Sequence, residues 1–301
     1  MGRRDHRPDR HACGAEPRPR SHQLRPPRGD RLRLDADVSD EAGAPRPPVR
    51  IEQRGDAAWL PLDRPERGNA LDGALVGALI AALAECADRA EVRAVCITGA
   101  GERAFCAGGD LAEIAAGGEA LSGYAELLRS MLRFPKPLLA RLNGHAMGGG
   151  LGIALLCDQV IAADGARLAT PELNVGLFPW MILPVLAAQI PPKALGALVL
   201  AREVLDAPRA KTLGLVQTVT APAELDAACA RALENLSALP PGVVAEGIVA
   251  LRRTQFAFLD EHLERSPKRL AWNLAQEEFR AGVAAFLAKR PAPWARESDE
   301  T

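Results

Sequence analysis

The residues of this chain whose types and spacing can do chemistry fall at two glycine-rich junctions and at one carboxylate downstream of them. The run Leu142-Asn143-Gly144-His145-Ala146-Met147-Gly148-Gly149-Gly150-Leu151-Gly152 joins an apolar β-type stretch (residues 137–142) to a helix-like stretch ending at Cys157-Asp158. Glycine costs about 1 kcal/mol per residue relative to alanine inside a helix. Three in a row at a strand-to-helix junction suit a place that needs bare backbone. The need is either close approach of a ligand or an exposed N–H at a helix start, where negative charge develops. A tight turn or close helix packing is the plain alternative. A second junction, Phe105-Cys106-Ala107-Gly108-Gly109-Asp110-Leu111, follows the strand-like residues 92–98 and repeats the design. Asp110, with Glu113 three residues on, reads as an N-cap with its capping-box partner. If the two junctions meet in space, the amides of Ala107 and Gly149 converge on one oxygen, the geometry of an oxyanion hole. The carboxylate is Glu172. In Thr170-Pro171-Glu172, Thr170 is placed to cap a helix and Pro171 to occupy its first position. A first-turn glutamate is also favoured by the helix dipole without doing any chemistry.

The elements that must position these groups alternate. Residues 49–53 and 57–62 flank Arg54-Gly55-Asp56 and predict a β-hairpin. An Ala/Leu-rich helix is expected over 74–86, a buried strand over 92–98, helices over 111–116 and 121–133, and strands over 138–142 and 158–163. Strand–helix alternation at this spacing indicates an α/β protein. Beyond residue 181 the pattern is mostly helical, over 182–189, 193–200, 207–213, 223–236, 243–258 and one long stretch at 262–289. A short strand at 215–220 interrupts it. No internal repeat is visible.

Composition agrees with an enzyme that has a sizeable core. The chain has 301 residues, 48% hydrophobic and 25% charged, with a formal net charge of −1. That balance argues against a nucleic-acid binder, which is usually basic. No apolar run approaches the roughly 18 residues of a membrane span. Six cysteines (Cys13, Cys86, Cys96, Cys106, Cys157 and Cys229) are scattered without a C-x-x-C pair. They predict free, buried thiols in a reducing, cytoplasmic setting. Residues 1–48, rich in Arg, Pro and Asp, hold too little apolar surface to offset the entropy of ordering and are expected to form a functionally silent, disordered tail. Asp5, Asp9, Glu16, Asp30 and Asp35 argue against a transit peptide. Translation starting near Val38 is an alternative origin for the segment.

Several landmarks, taken in order, carry a family resemblance. They are Leu62-Asp63-Arg64-Pro65 with Asn69-Ala70-Leu71, then residues 105–111, then 143–158. Thr170-Pro171-Glu172-Leu173 follows with Val175-Gly176-Leu177, and last come Gly282-Val283-Ala284-Ala285-Phe286-Leu287 and Lys289-Arg290-Pro291. With them the chain resembles the enoyl-CoA hydratase/isomerase (crotonase) superfamily from about Val49 to Trp294. The resemblance implies a spiral of ββα units over residues 49–220, a C-terminal helical trimerisation region over 221–301, and a homotrimer or hexamer. It implies an acyl-CoA thioester as the substrate, with its enolate held by the Ala107 and Gly149 amides. One such donor is worth roughly 3–4 kcal/mol in enzymes where it has been removed. It makes Glu172 a proton-transferring residue, and it places Arg67, Ala70, Gly108 and Asp110 along the CoA. For Arg67, a contact with a CoA phosphate stands beside the simpler account of an exposed loop arginine. Leu177-Phe178-Pro179-Trp180-Met181 would line the acyl pocket, or serve as core or a trimer contact.

The departure from the family pattern is Gly152, where two-glutamate hydratases carry a second carboxylate. Leu151, Ile153 and Ala154 beside it are apolar and replace nothing. A two-carboxylate hydratase holds its water between base and acid. One carboxylate can still move a proton between C2 and C4, so the pattern favours isomerisation over single-glutamate hydration. A non-catalytic acyl-CoA binder is the alternative from another class. Trp180 stands where dienoyl-CoA isomerases carry an extra Asp, which counts against that reaction. His145 is expected to be a packing or turn residue. There is no G-x-x-x-x-G-K-[ST], no G-x-G-x-x-G at the triplet, no G-x-S-x-G and no H-E-x-x-H. His6, His11 and His22 lie in the expected tail. No metal and no cofactor beyond the CoA moiety of the substrate is expected.

Overall fold

The computed structural model describes Gly2, residues 47–117 and residues 120–295. Those from 47 onward belong to one unit, Asp37–Thr301. The expectations for residues 3–46, Cys13 and the three tail histidines among them, lie outside the described residues. Order is already present at Pro48, whose carbonyl accepts from the Asp63 amide at 2.8 Å.

Ten strands are present among the described residues: β1 (Glu52–Arg54), β2 (Ala57–Leu62), β3 (Ala94–Gly99), β4 (Ala104–Cys106), β5 (Leu138–Leu142), β6 (His145–Met147), β7 (Gln159–Ala163), β8 (Arg167–Ala169), β9 (Leu205–Asp206) and β10 (Thr218–Thr220). They build two sheets. One has the order β1-β2-β3-β5-β7-β10 and is parallel from β2 onward; the other has the order β4-β6-β8-β9. The pairs β3–β4, β5–β6 and β7–β8 each place one strand in each sheet. The chain therefore winds through both sheets once per turn, the crotonase spiral that the resemblance implies.

The helices follow the same logic. Asp72 caps α1 (Gly73–Asp88) by accepting from the Leu75 amide at 2.8 Å. Leu75, Val76, Leu79, Ala82, Leu83 and Cys86, at helical spacing, form its buried face. Two shorter helices, α2 (Leu111–Ala115) and α3 (Ala120–Arg133), return the chain to β5. The central helix α4 (Gly149–Leu156) is buried from Gly150 to Leu156, as its uniformly apolar sequence requires. Then come α5 (Leu183–Gln189), α6 (Pro192–Leu200), α7 (Ala207–Thr212), α8 (Leu225–Ser237), α9 (Pro241–Gln255), α10 (Leu259–Leu274) and α11 (Glu277–Leu287). Every residue of β3 is buried because both faces are covered. Val95 and Ile97 join the main core, while Ala94 and Cys96 pack with Leu225, Cys229 and Leu233 of α8.

Two expectations about elements need correction. The long helix expected over 262–289 is two helices, broken at Ala275-Gln276, where Gln276 has an extended ψ of 148°. Asn273, in the last turn of α10, is drawn into contacts with the loop at 176–180. That leaves α11 free to cross the segment carrying Glu172 at its own angle. The strand expected over 215–220 pairs only over Thr218–Thr220, because Leu215 and Val216 are spent on the core. Cys86, Cys96, Cys106, Cys157 and Cys229 are free and buried. No helix among the described residues is long and apolar enough to cross a membrane.

Candidate active site

The two glycine-rich junctions meet. Strand β4 pairs with β6, aligning Cys106 with Ala146. Beyond them Cys106 packs on Gly150 so tightly that a methyl group there would lie 2.6 Å from the Cys106 Cβ. Gly108, at φ +93°, passes beside the start of α4; a methyl on it would stand 3.0 Å from the Met147 carbonyl oxygen and 3.5 Å from the Gly149 nitrogen. The Gly149 N–H, at the first position of α4, has no partner among the described residues. Helix starts leave such donors exposed, and this one lies beside the other junction.

The second donor differs from the sequence expectation. The Ala107 amide already donates to the Gly68 carbonyl at 2.9 Å, so it is spent within the fold. Two residues on, the Gly109 amide has no partner among the described residues, although Leu71 bridges both its neighbours, donating to the Gly108 carbonyl and accepting from the Asp110 amide. The unpaired donors at this junction pair are thus those of Gly109 and Gly149. Which carbonyl takes which amide depends on Gly68, nearly forty residues upstream, and local sequence carries no signal for it.

Glu172 lies in a 3-10 helix, Pro171–Val175, with Pro171 at its start. Thr170 does not cap it: its hydroxyl donates to the Leu198 carbonyl of α6 at 3.1 Å. The glutamate reaches the glycine triplet. A methyl on Gly148, which adopts φ +49°, would lie 2.7 Å from Glu172 Oε1 and 3.2 Å from its Cδ. Oε2 is shielded from solvent and accepts no hydrogen bond from the described residues. Burial, opposed only by a hydrogen bond from its own backbone, pushes the Glu172 carboxyl up to about 7. An acid poised near neutrality against the glycine triplet suits proton transfer.

Gly152 is closed to any side chain. A methyl there would lie 2.4 Å from Ile182 Cγ2 and 2.5 Å from the Tyr124 hydroxyl oxygen. The place from which a second carboxylate would project is filled by two neighbours. Tyr124 is buried, and its hydroxyl donates to the Gly149 carbonyl at 2.6 Å.

The remaining expected site residues sort by what they touch. Asp110 caps α2, accepting from Ala112 and Glu113 at 3.2 and 3.4 Å, and its other oxygen pairs with Arg64 at 3.2 Å. The capping box is not closed, because the Glu113 carboxylate accepts from the Gly73 amide instead. Arg67 ends an exposed 3-10 turn, Pro65–Arg67. Ala70 is buried, and its carbonyl accepts from Arg64 at 2.7 Å. Asn69, fully buried at φ +56°, braces this loop: its Nδ2 donates to the Ala100 and Ala104 carbonyls and its Oδ1 accepts from the Arg64 amide. Leu177 and Met181 belong to the core, whereas Phe178 and Trp180 are partly buried, with ring centroids 4.7 Å apart. His145 opens β6, with its Nδ1 buried and without a partner among the described residues. Among the described residues no His, Cys, Asp and Glu cluster could hold a metal ion.

Asn273 is a positioning residue that the sequence did not announce. Its Oδ1 accepts from the Phe178 amide and Trp180 Nε1 at 2.9 and 3.0 Å, and its Nδ2 donates to the Gly176 carbonyl at 2.7 Å. Close by, Gly282 of α11 lies against the Val175 backbone, where a methyl would fall 2.6 Å from the Val175 carbonyl carbon. Together they clamp the segment that carries Glu172.

A chain that spirals through two sheets is the architecture of the crotonase fold, and comparison with known proteins agrees. Residues 53–297 match the enoyl-CoA hydratase/isomerase family. The chain is 36% identical over 255 residues to a probable enoyl-CoA hydratase of Rhizobium meliloti, covering 80% of this chain and 95% of that protein. It is 33% identical over 258 residues to a putative enoyl-CoA hydratase of Thermus thermophilus, covering 81% and 98%. Among solved structures it superposes on an enoyl-CoA hydratase from Mycobacterium avium subsp. paratuberculosis with a TM-score of 0.75 at 25% identity, covering 84% of this chain and all of that one. The chain belongs to the enoyl-CoA hydratase/isomerase family of enzymes.

Proposed function

We propose that the protein isomerises an enoyl-CoA thioester, using Glu172 as the single proton carrier and the Gly109 and Gly149 amides as the oxyanion hole. Glu172 removes a proton from C2 of a 3-enoyl thioester. The C–H electrons then form the dienolate, whose oxygen accepts from the two amides. The protonated Glu172 returns the proton to C4, and the double bond moves to C2–C3. Glu172 ends ionised, as it began, so the cycle needs no other reactant.

The observation that carries this reading over hydration is the filled space at Gly152, with Ile182 and Tyr124 where a second carboxylate would stand. Water activation opposite Glu172 then has no second acid–base group. Single-glutamate hydration is the competing reading, and the relatives' names favour it.

The substrate's CoA portion runs past the Arg64–Leu71 loop, with exposed Arg67 available to a phosphate. The enzyme assembles as a homotrimer or a pair of trimers. Large apolar side chains left exposed on the C-terminal helices, among them Val243, Leu251 and Trp272, support that assembly.

The test is mass-resolved product analysis after incubation with a short 3-enoyl-CoA. A product of unchanged mass with a shifted double bond is expected. A product heavier by one water overturns the preference for isomerisation.

A further inference from the structure

The chain's single tyrosine lies beside the glycine junction, and nothing in the mechanism above uses it. Tyr124 projects from α3, 25 residues before Gly149, and its hydroxyl donates to the Gly149 carbonyl at 2.6 Å. Its ring lies flush with the same glycine: a methyl on Gly149 would fall 3.4 Å from Tyr124 Cζ and 3.5 Å from its Cε2. The hydroxyl also fills the space beside Gly152. We propose that Tyr124 is a positioning residue that holds Gly149, and with it the oxyanion N–H, from the side where a second carboxylate would otherwise enter.

The physical need is clear from the backbone. Gly148, Gly149 and Gly150 are three residues without side chains, and the aim of the Gly149 N–H depends on the torsions on either side of it. Such a stretch loses more freedom on ordering than any other of its length. Preorganisation of the donor is what gives an oxyanion hole its effect, because a donor that must be oriented during the reaction contributes less. On one flank the Gly148 amide is fixed to the Ala169 carbonyl at 2.9 Å. On the other the Gly149 carbonyl is fixed by Tyr124, a rigid side chain whose own packing in the core is complete.

The phenol is suited to hold rather than to transfer a proton. Burial, and the nearby Cys106 and Glu172, push it well above its ordinary range, so it stays neutral and keeps its hydrogen bond at every working pH. Tyr124 therefore does not replace the missing carboxylate as an acid or base.

The inference rests on the enolate reading of the site, and the test separates the two. Exchange of the C2 protons of butanoyl-CoA in D2O is followed for the wild type, Tyr124→Phe and Glu172→Gln. It needs the base and the oxyanion hole but neither hydration nor isomerisation. A neutral hydrogen bond is worth about a tenfold change in rate. Tyr124→Phe is expected to exchange about tenfold more slowly in kcat, with KM within twofold of the wild type and the acid limb of the pH profile unmoved, since Glu172 still sets it. Rates are taken per folded molecule, so lost stability alone cannot mimic the effect. Wild-type exchange that Tyr124→Phe matches within twofold, or a fall that lies wholly in KM, overturns the positioning role and leaves the enolate reading standing. No exchange by the wild type overturns both.

Discussion

Gly148 and Glu172 are in direct contact: Glu172 Oε1 lies 2.7 Å from where a β-carbon would stand on Gly148, the residue just before α4. Glycine is required there twice over, by the contact and by a φ of +49° with ψ of −121°. Gly148→Ala is expected to cost about 1–3 kcal/mol of stability, the usual range for such backbone strain. Because the methyl displaces the carboxylate, activity should fall by more than the loss of folded protein explains. Denaturant melts with rate measurements on the folded fraction separate the two effects.

The raised Glu172 carboxyl links stability to pH. Its folded value, about 7, lies above the ordinary 4.5, so the folded state holds this proton more tightly than the unfolded chain. The contribution is fully present below pH 4.5, declines as pH rises through 7, and is absent above it. Glu172→Gln removes the charge, and should make the protein about 1–3 kcal/mol more stable than the wild type at pH 8 while narrowing the gap at pH 5. Thermal melts at both values check the sign. An equal difference at the two would contradict it.

Closure of the Gly152 site predicts that a carboxylate cannot simply be restored. Even Gly152→Ala puts a methyl 2.4 Å from Ile182 Cγ2. Overpacking of this kind costs about 1–3 kcal/mol. Gly152→Glu should be less stable still and should gain no hydratase activity, as a Tm and a product assay would show. Hydration appearing in that variant would mean the pocket yields more readily than its packing indicates.

Asn273 should matter at a distance. Asn273→Ala leaves the Phe178 amide, Trp180 Nε1 and the Gly176 carbonyl without their partner, at an expected cost of about 1–3 kcal/mol. The 3-10 turn bearing Glu172 then loses one of its clamps, so a lowered kcat is expected on the folded fraction, read by steady-state kinetics at a temperature well below the melt.

The legible part of this molecule was the part written locally. The Gly148–Gly150 triplet, the Pro171-Glu172 turn, the apolar face of α1 and the uniformly apolar run of α4 all announce themselves through composition and spacing. The spiral did not, because β4, β6 and β8 are three residues each, too short for a periodicity to register. That the Ala107 amide is occupied turned on a hydrogen bond to Gly68, and the seat beside Gly152 on a hydroxyl 28 residues upstream. The break before α11 follows from Asn273 reaching back nearly one hundred residues. Each miss is a contact between distant segments that no window of sequence contains.

If Glu172 carries the proton, Glu172→Gln must lose turnover while still binding its ligand. The amide keeps the size of the carboxyl group but cannot accept and return a proton. General acid–base groups contribute typically 10²–10⁴-fold. With a 3-enoyl-CoA substrate, turnover is expected to fall by about that much while the affinity for a saturated acyl-CoA, measured by calorimetry, stays within a few-fold of the wild type. Turnover retained by Glu172→Gln would contradict the assignment and move the chemistry to another group.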